Sequence, residues 1–169
     1  MNKTATRLIL MTSLIALGAC APKRKLVDIP PAPVSRGEAV PDPNAGRPMP
    51  GSQADFIASV AADRVWFDTD KFDIDAEDQA TLRSQAQWLA RYPTKRVTIE
   101  GHADERGTRD YNIALGERRA NAAKNSLATL GVDAARISTI SYGKERPDAL
   151  GSDEASWARN RRAVTVTVE

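Results

Sequence analysis

An α/β sandwich, with a mixed sheet and helices packed on one face, is the fold that the sequence predicts beyond its first third, on three observations. Short apolar or alternating runs recur at Val65–Phe67, Val97–Glu100, Ile137–Tyr142 and Ala163–Val168. Apolar residues at helical spacing fill two of the gaps between them. The stretch from Ala54 to Glu169 has the length of one domain with a single core.

Each element has a local reason. Val65–Phe67 is a short strand, followed by Asp73, Asp75 and Asp78, any of which can cap a helix through its carboxylate. Leu82, Ala86 and Leu89 then recur at helical spacing, and Tyr92 before Pro93 stops that helix, since proline disfavours helical geometry in the residue before it. Val97–Glu100 alternates as the second strand. Thr108 or Asp110 caps the second helix, Ala120, Ala123, Leu127 and Leu130 mark its buried side, and Gly131 ends it. The third and fourth strands follow, separated by a loop-rich stretch from Gly143 to Arg162 with a short helix around Glu154 to Arg159. The order is strand, helix, strand, helix, strand, strand.

The first part of the chain reads differently. Lys3 and Arg7 make a basic start, Leu8 to Leu17 an apolar stretch, and Leu17–Cys20 a small-residue cleavage site, the pattern of a bacterial lipoprotein signal peptide over residues 1–19. An apolar run this short does not span the roughly 30 Å hydrocarbon core, which takes about 20 apolar residues. Cys20 is the only cysteine, so no intramolecular disulfide forms, and its place after the cleavage site makes it the expected lipidation site, tying the chain to membrane lipid. Ala21 rather than Asp follows it, which by resemblance to bacterial sorting signals favours the outer membrane. Residues 20–53 form the lipidated N-terminus and a Pro-rich tether: every proline but Pro93 and Pro147 lies there. Residues 54–169 are the folded domain.

Charge narrows the class of partner. The formal net charge of +2 comes from Lys3 and Arg7, and the remainder is balanced. A neutral body argues against nucleic acid, whose binding rests on summed positive charge. Catalysis is poorly supplied: His102 is the only histidine, which excludes zinc sites with two or three histidines, and Cys20 is committed to the membrane. No cofactor or metal is expected. A Ser-His-Asp set around His102, or Asp70 and Asp104 acting together on a glycan, stays open as an enzymatic alternative.

The segment Glu100–Asn121 carries most of the functional information. It places Asp104 in a turn flanked by Gly101 and Gly107, and Arg119 inside the following helix. At about 100° per residue, Arg119 lies at the border of the apolar stripe and Arg118 points away from it. A guanidinium partly withdrawn from water needs partners, and Asp104 is the natural neighbour. Two arrangements are open: an internal Asp104–Arg119 ion pair, or a ligand ammonium on Asp104 with a ligand carboxylate on Arg119.

Four motifs in one order carry a resemblance: Glu100–Thr108, Tyr111–Asn121, Ser141–Pro147 and Asn160–Val164. Together they resemble the OmpA-like domain family as it occurs in peptidoglycan-associated lipoproteins, over about Arg64 to Glu169. The resemblance implies non-covalent binding of peptidoglycan, with meso-diaminopimelate of the stem peptide as the recognised group. It carries the binding positions onto Asp70, Asp104, Arg106, Asn112, Leu115 and Arg119, with Leu115 as an apolar wall, and treats Asn160–Arg162 as structural support. Thr69 and Arg109 depart from the family pattern, which often has an aromatic residue and a proline there. It further implies TolB and the Tol complex as partners and a role in envelope constriction during division, the alternative being a wall-anchoring lipoprotein without Tol partners.

Overall fold

The computed structural model describes residues 46–168. The expected signal peptide, the expected lipidation site Cys20 and most of the expected tether lie outside them. The described elements are helix α1 (Gln53–Ser59), strand β1 (Arg64–Trp66), α2 (Ala76–Arg91), β2 (Arg96–His102), α3 (Arg109–Thr129), β3 (Ile137–Gly143), α4 (Glu154–Asn160) and β4 (Arg162–Val168), with a 3-10 turn at Ala134–Arg136. The four strands form one mixed sheet in the order β1-β4-β2-β3. β4 is antiparallel to both neighbours, while β2 and β3 run parallel, and α3 is the crossover that parallel pairing requires.

The sheet is covered on one face, as the alternation along its strands dictates. Val97 and Ile99 of β2, Ala163 of β4, Ile137 of β3 and Val65 of β1 point into a core closed by Leu82, Trp88 and Leu89 of α2 and Ala120, Ala123 and Leu127 of α3. On the other face Ile140 and Val168 remain exposed. Gly101 is not the turn residue expected from the sequence. It sits inside β2, where a Cβ would collide with the backbone of Gly116, so the two glycines set how closely α3 lies on the sheet.

Two caps match expectation and select among candidates. Asp75 caps α2 by accepting from the Asp78 N–H, and Thr108 caps α3 by accepting from the Tyr111 N–H. Leu130 differs: it terminates α3 and is 40% exposed, because the chain turns away at Gly131 one residue later. Helix α1 has no counterpart in the sequence reading. Its single buried residue, Phe56, meets Trp88 edge-on, and Asp55 accepts the Trp88 indole N–H at 3.0 Å.

Candidate functional site

The site forms where β2 ends. The Ala103 N–H donates to the Gly143 carbonyl at 2.8 Å, extending the β2–β3 pairing by one residue, and the chain then turns through Asp104–Gly107 before α3 begins. Gly107 takes φ +84°, a conformation that glycine adopts at least cost. The loop is fastened from both sides. Asn112 donates its side-chain N–H to the Arg106 carbonyl at 2.7 Å, and the Lys144 ammonium reaches the carbonyls of Glu105 and Gly107 at 3.0 and 2.7 Å.

Arg119 is more deeply placed than helical phase indicates: it has 0% exposure. Its guanidinium donates to three main-chain carbonyls, Lys71 at 2.9 Å, His102 at 2.8 Å and Asp68 at 3.0 Å, and lies 5.2 Å from the Phe67 ring centre. Of the five N–H bonds of a guanidinium, one on each terminal nitrogen is left without a protein acceptor among the described residues. Burial lowers its pKa to about 10, opposed by the nearby Asp104, so the group stays cationic at neutral pH.

Asp104 does not pair with Arg119. Its carboxylate is gripped by Arg106, whose Nε and Nη2 donate at 3.1 and 2.7 Å and whose main-chain N–H donates at 3.1 Å, and by Arg161 Nη1 at 3.5 Å. Burial works to raise the Asp104 pKa, but these bonds outweigh it and hold the carboxyl below its ordinary value. The internal ion pair that the sequence left open is therefore replaced by two separate anchorages. Main-chain carbonyls hold the cation, and two other arginines hold the acid.

Beside Asp104 lies a cleft of about 290 Å³ lined by Thr69, Asp70, Asp104, Arg106, Gly107 and Tyr111. Asp70 sits at φ +58° and accepts the Tyr111 hydroxyl at 3.0 Å. Such a conformation is uncommon for a residue with a side chain, although aspartate tolerates it better than most. Three of the six predicted positions, Asp70, Asp104 and Arg106, thus line the cleft. Asn112, Leu115 and Arg119 are buried and do not line it; Asn112 shapes the loop, Arg119 supplies charge from within, and Leu115 is packed away rather than forming an open wall.

The sequence reading treated Asn160–Arg162 as support, yet Arg161 belongs to the site through Asp104. It also donates to the Phe67 carbonyl at 2.9 Å and to Glu154 at 2.8 Å. Trp157, one turn earlier, stacks under Arg106 with 4.3 Å between the guanidinium and the ring centre, and donates its indole N–H to Glu105 at 3.0 Å. The motif was visible, but nothing in α4 alone shows that its residues fold back over the β2–α3 loop.

A larger cavity, about 520 Å³, lies between the start of α2 and the end of α4 and shares Asp68, Lys71 and Arg161 with this neighbourhood. Asp78 in its wall accepts the N–H of edge-strand residue Trp66 at 3.2 Å, and burial raises its pKa to about 6. His102 has its pKa pushed down to about 4 by burial, aided by Arg162, and its Nδ1 has no hydrogen-bond partner. The ring packs against Tyr142, with 5.7 Å between ring centres.

Comparison with known proteins agrees with this architecture. Residues 66–161 match the OmpA family. The chain is 53% identical over 158 residues to the peptidoglycan-associated lipoprotein of Agrobacterium fabrum, covering 94% of this chain and 85% of that one. It is 39% identical over 164 residues to the protein of the same name from Haemophilus influenzae, covering 97% and 98%. The crystal structure of the peptidoglycan-associated lipoprotein from Burkholderia pseudomallei superposes with a TM-score of 0.62 at 47% identity, covering 64% of this chain and 92% of that one. With its domain in that family and relatives that align along nearly its whole length, the chain belongs to the OmpA family and, within it, to the peptidoglycan-associated lipoproteins.

Proposed function

We propose that the protein binds peptidoglycan non-covalently at the Asp104 cleft and links the wall to the outer membrane through an acylated Cys20, with residues 1–19 as its signal peptide and the rest of the Pro-rich segment as tether. The observation that carries this reading is a small cleft lined by the buried carboxylate of Asp104 and the guanidinium of Arg106, with Arg161 bonded to the same carboxylate and the buried charge of Arg119 nearby. Such a set suits a ligand with both an ammonium and a carboxylate. The free end of meso-diaminopimelate in a stem peptide is that chemistry. Asp104, with Asp70 across the cleft, takes the ammonium, and the carboxylate meets Arg106, the guanidinium that lines the cleft, with the buried charge of Arg119 adding to the attraction.

Nothing in this arrangement calls for a reaction. The carboxyl of Asp104 is held ionised rather than poised as an acid, and His102 is buried without a nucleophile. The protein acts as an anchor, and the names of its relatives support that reading. We further propose TolB and the Tol complex as partners and a part in constriction during division; co-purification of TolB with the leaderless protein tests this.

Sedimentation with purified sacculi tests the wall itself. The protein lacking residues 1–19, with Cys20→Ser, pellets with sacculi, and Asp104→Asn in the same background stays in the supernatant. A folded Asp104→Asn variant that pellets like the parent overturns the assignment of the cleft.

A further inference from the structure

Two charged residues of the β2–α3 loop, Glu105 and Arg106, are held by one side chain from a distant part of the chain. Trp157 of α4 donates its indole N–H to Glu105 Oε1 at 3.0 Å, and its ring centre lies 4.3 Å from the Arg106 guanidinium. The loop backbone has other fastenings. Asn112 holds the Arg106 carbonyl, and Lys144 holds those of Glu105 and Gly107. Helix α4 is likewise fixed without Trp157, because the buried Asn160 side chain ties its end to the N–H groups of Asp148 and Ala149 and to the Ala149 carbonyl. What Trp157 adds is a direction for the Arg106 side chain.

Charge alone leaves that direction open. The Arg106 side chain is 39% exposed and three acids attract it: Asp104, which it grips, and Glu154 and Asp70 nearby. Trading one carboxylate for another at a partly exposed rim changes the energy little. An indole face attracts the cation without taking any of its N–H bonds, which all lie in the guanidinium plane. In the position it sets, Nε and Nη2 meet Asp104 and Nη2 also meets Thr69 Oγ1 at 3.3 Å. Nη1 has no acceptor among the described residues, and Arg106 lines the cleft.

We propose that Trp157 is a positioning residue of the cleft, whose ring holds Arg106 on Asp104 so that Nη1 is presented to a ligand carboxylate. This rests on the wall-binding reading and extends the working parts of the site to a residue that does not line it. The aromatic face is the part that matters, and the indole N–H serves to fix the ring.

Two substitutions in the leaderless Cys20→Ser protein separate those parts. Trp157→Phe keeps a ring face and gives up the Glu105 bond, whereas Trp157→Leu keeps apolar bulk and gives up the face. Each is read by sacculus binding and, without ligand, by the rate at which the Arg106 Nε–H exchanges with water in NMR. Trp157→Leu binds sacculi about threefold to fivefold more weakly and exchanges the Nε–H faster by a similar factor, while Trp157→Phe stays within about twofold of the parent in both. In an Arg106→Ala background, Trp157→Leu weakens binding no further, since a residue that acts through Arg106 has nothing left to position. Parent-like binding and exchange in Trp157→Leu overturn the proposal, as do an equal loss in Trp157→Phe or a further loss in the Arg106→Ala background. Failure of the parent to bind sacculi removes the wall-binding reading instead, and the exchange rates then decide by themselves whether Trp157 orients Arg106.

Discussion

Two neighbourhoods of this domain bury ionisable groups and treat them in opposite ways. Around the cleft, Arg119 is held by three main-chain carbonyls and Asp104 by donors from Arg106 and Arg161, so both keep their charge. At the uncovered sheet face and the β1 edge, the His102 Nδ1 and Arg162 Nε atoms have no partner, and Asp78 accepts a single hydrogen bond. There the groups yield instead: His102 is shifted to about 4 and Asp78 to about 6, each toward its neutral form. A recognition site for a charged ligand must spend hydrogen bonds on keeping charge in place, whereas packing positions can let it go.

The largest effect expected from this contrast is on stability. Arg119→Ala leaves the carbonyls of Asp68, Lys71 and His102 without their donor in a closed space and costs about 3–5 kcal/mol in urea unfolding, while Arg106→Ala, at the partly exposed rim, leaves Asp104 its main-chain donor and Arg161 and costs clearly less. Equal costs for the two arginines break the distinction between the buried and the rim cation.

A smaller effect separates the yielding groups by the sign of their pH dependence. Asp78 binds its proton more tightly folded than unfolded, so its contribution to stability falls as pH rises from about 4 to about 6. His102 binds its proton less tightly folded, so its contribution falls as pH drops from about 6.5 to about 4. The two slopes oppose each other over the shared window. Asp78→Asn, which keeps an acceptor for the Trp66 N–H, therefore makes stability climb with pH across this window by about 1–2 kcal/mol more than in the parent. Unfolding midpoints taken at pH 4.5 and 7 check the sign, and parallel behaviour of parent and variant removes Asp78 from the account.

The strands and long helices were legible because period alone reveals them: Val97 and Ile99 alternate, and Leu82, Ala86 and Leu89 share a helical face. Helix α1 was not, since one buried Phe56 in seven residues makes no period. The acid, the arginines and their family resemblance were visible in the sequence. Their pairing was not. Helical phase places Arg119 relative to its own helix, but its burial is decided by the carbonyls of Asp68 and Lys71, about fifty residues away in the chain. Likewise the partners of Asp104 come from Arg161, which caps the end of α4, and from Arg106, two residues ahead of it, arrangements that only the tertiary fold brings together.

The central claim is that the cleft recognises an ammonium and a carboxylate together, and one comparison reaches it directly. Binding of the leaderless Cys20→Ser protein is measured on sacculi whose diaminopimelate carboxylates are free and on sacculi in which they are amidated. Amidation keeps the shape and the ammonium but removes the anion that a guanidinium would grip, so binding is expected to fall about tenfold. Equal binding to both would contradict the account and move recognition to the glycan or to another part of the stem.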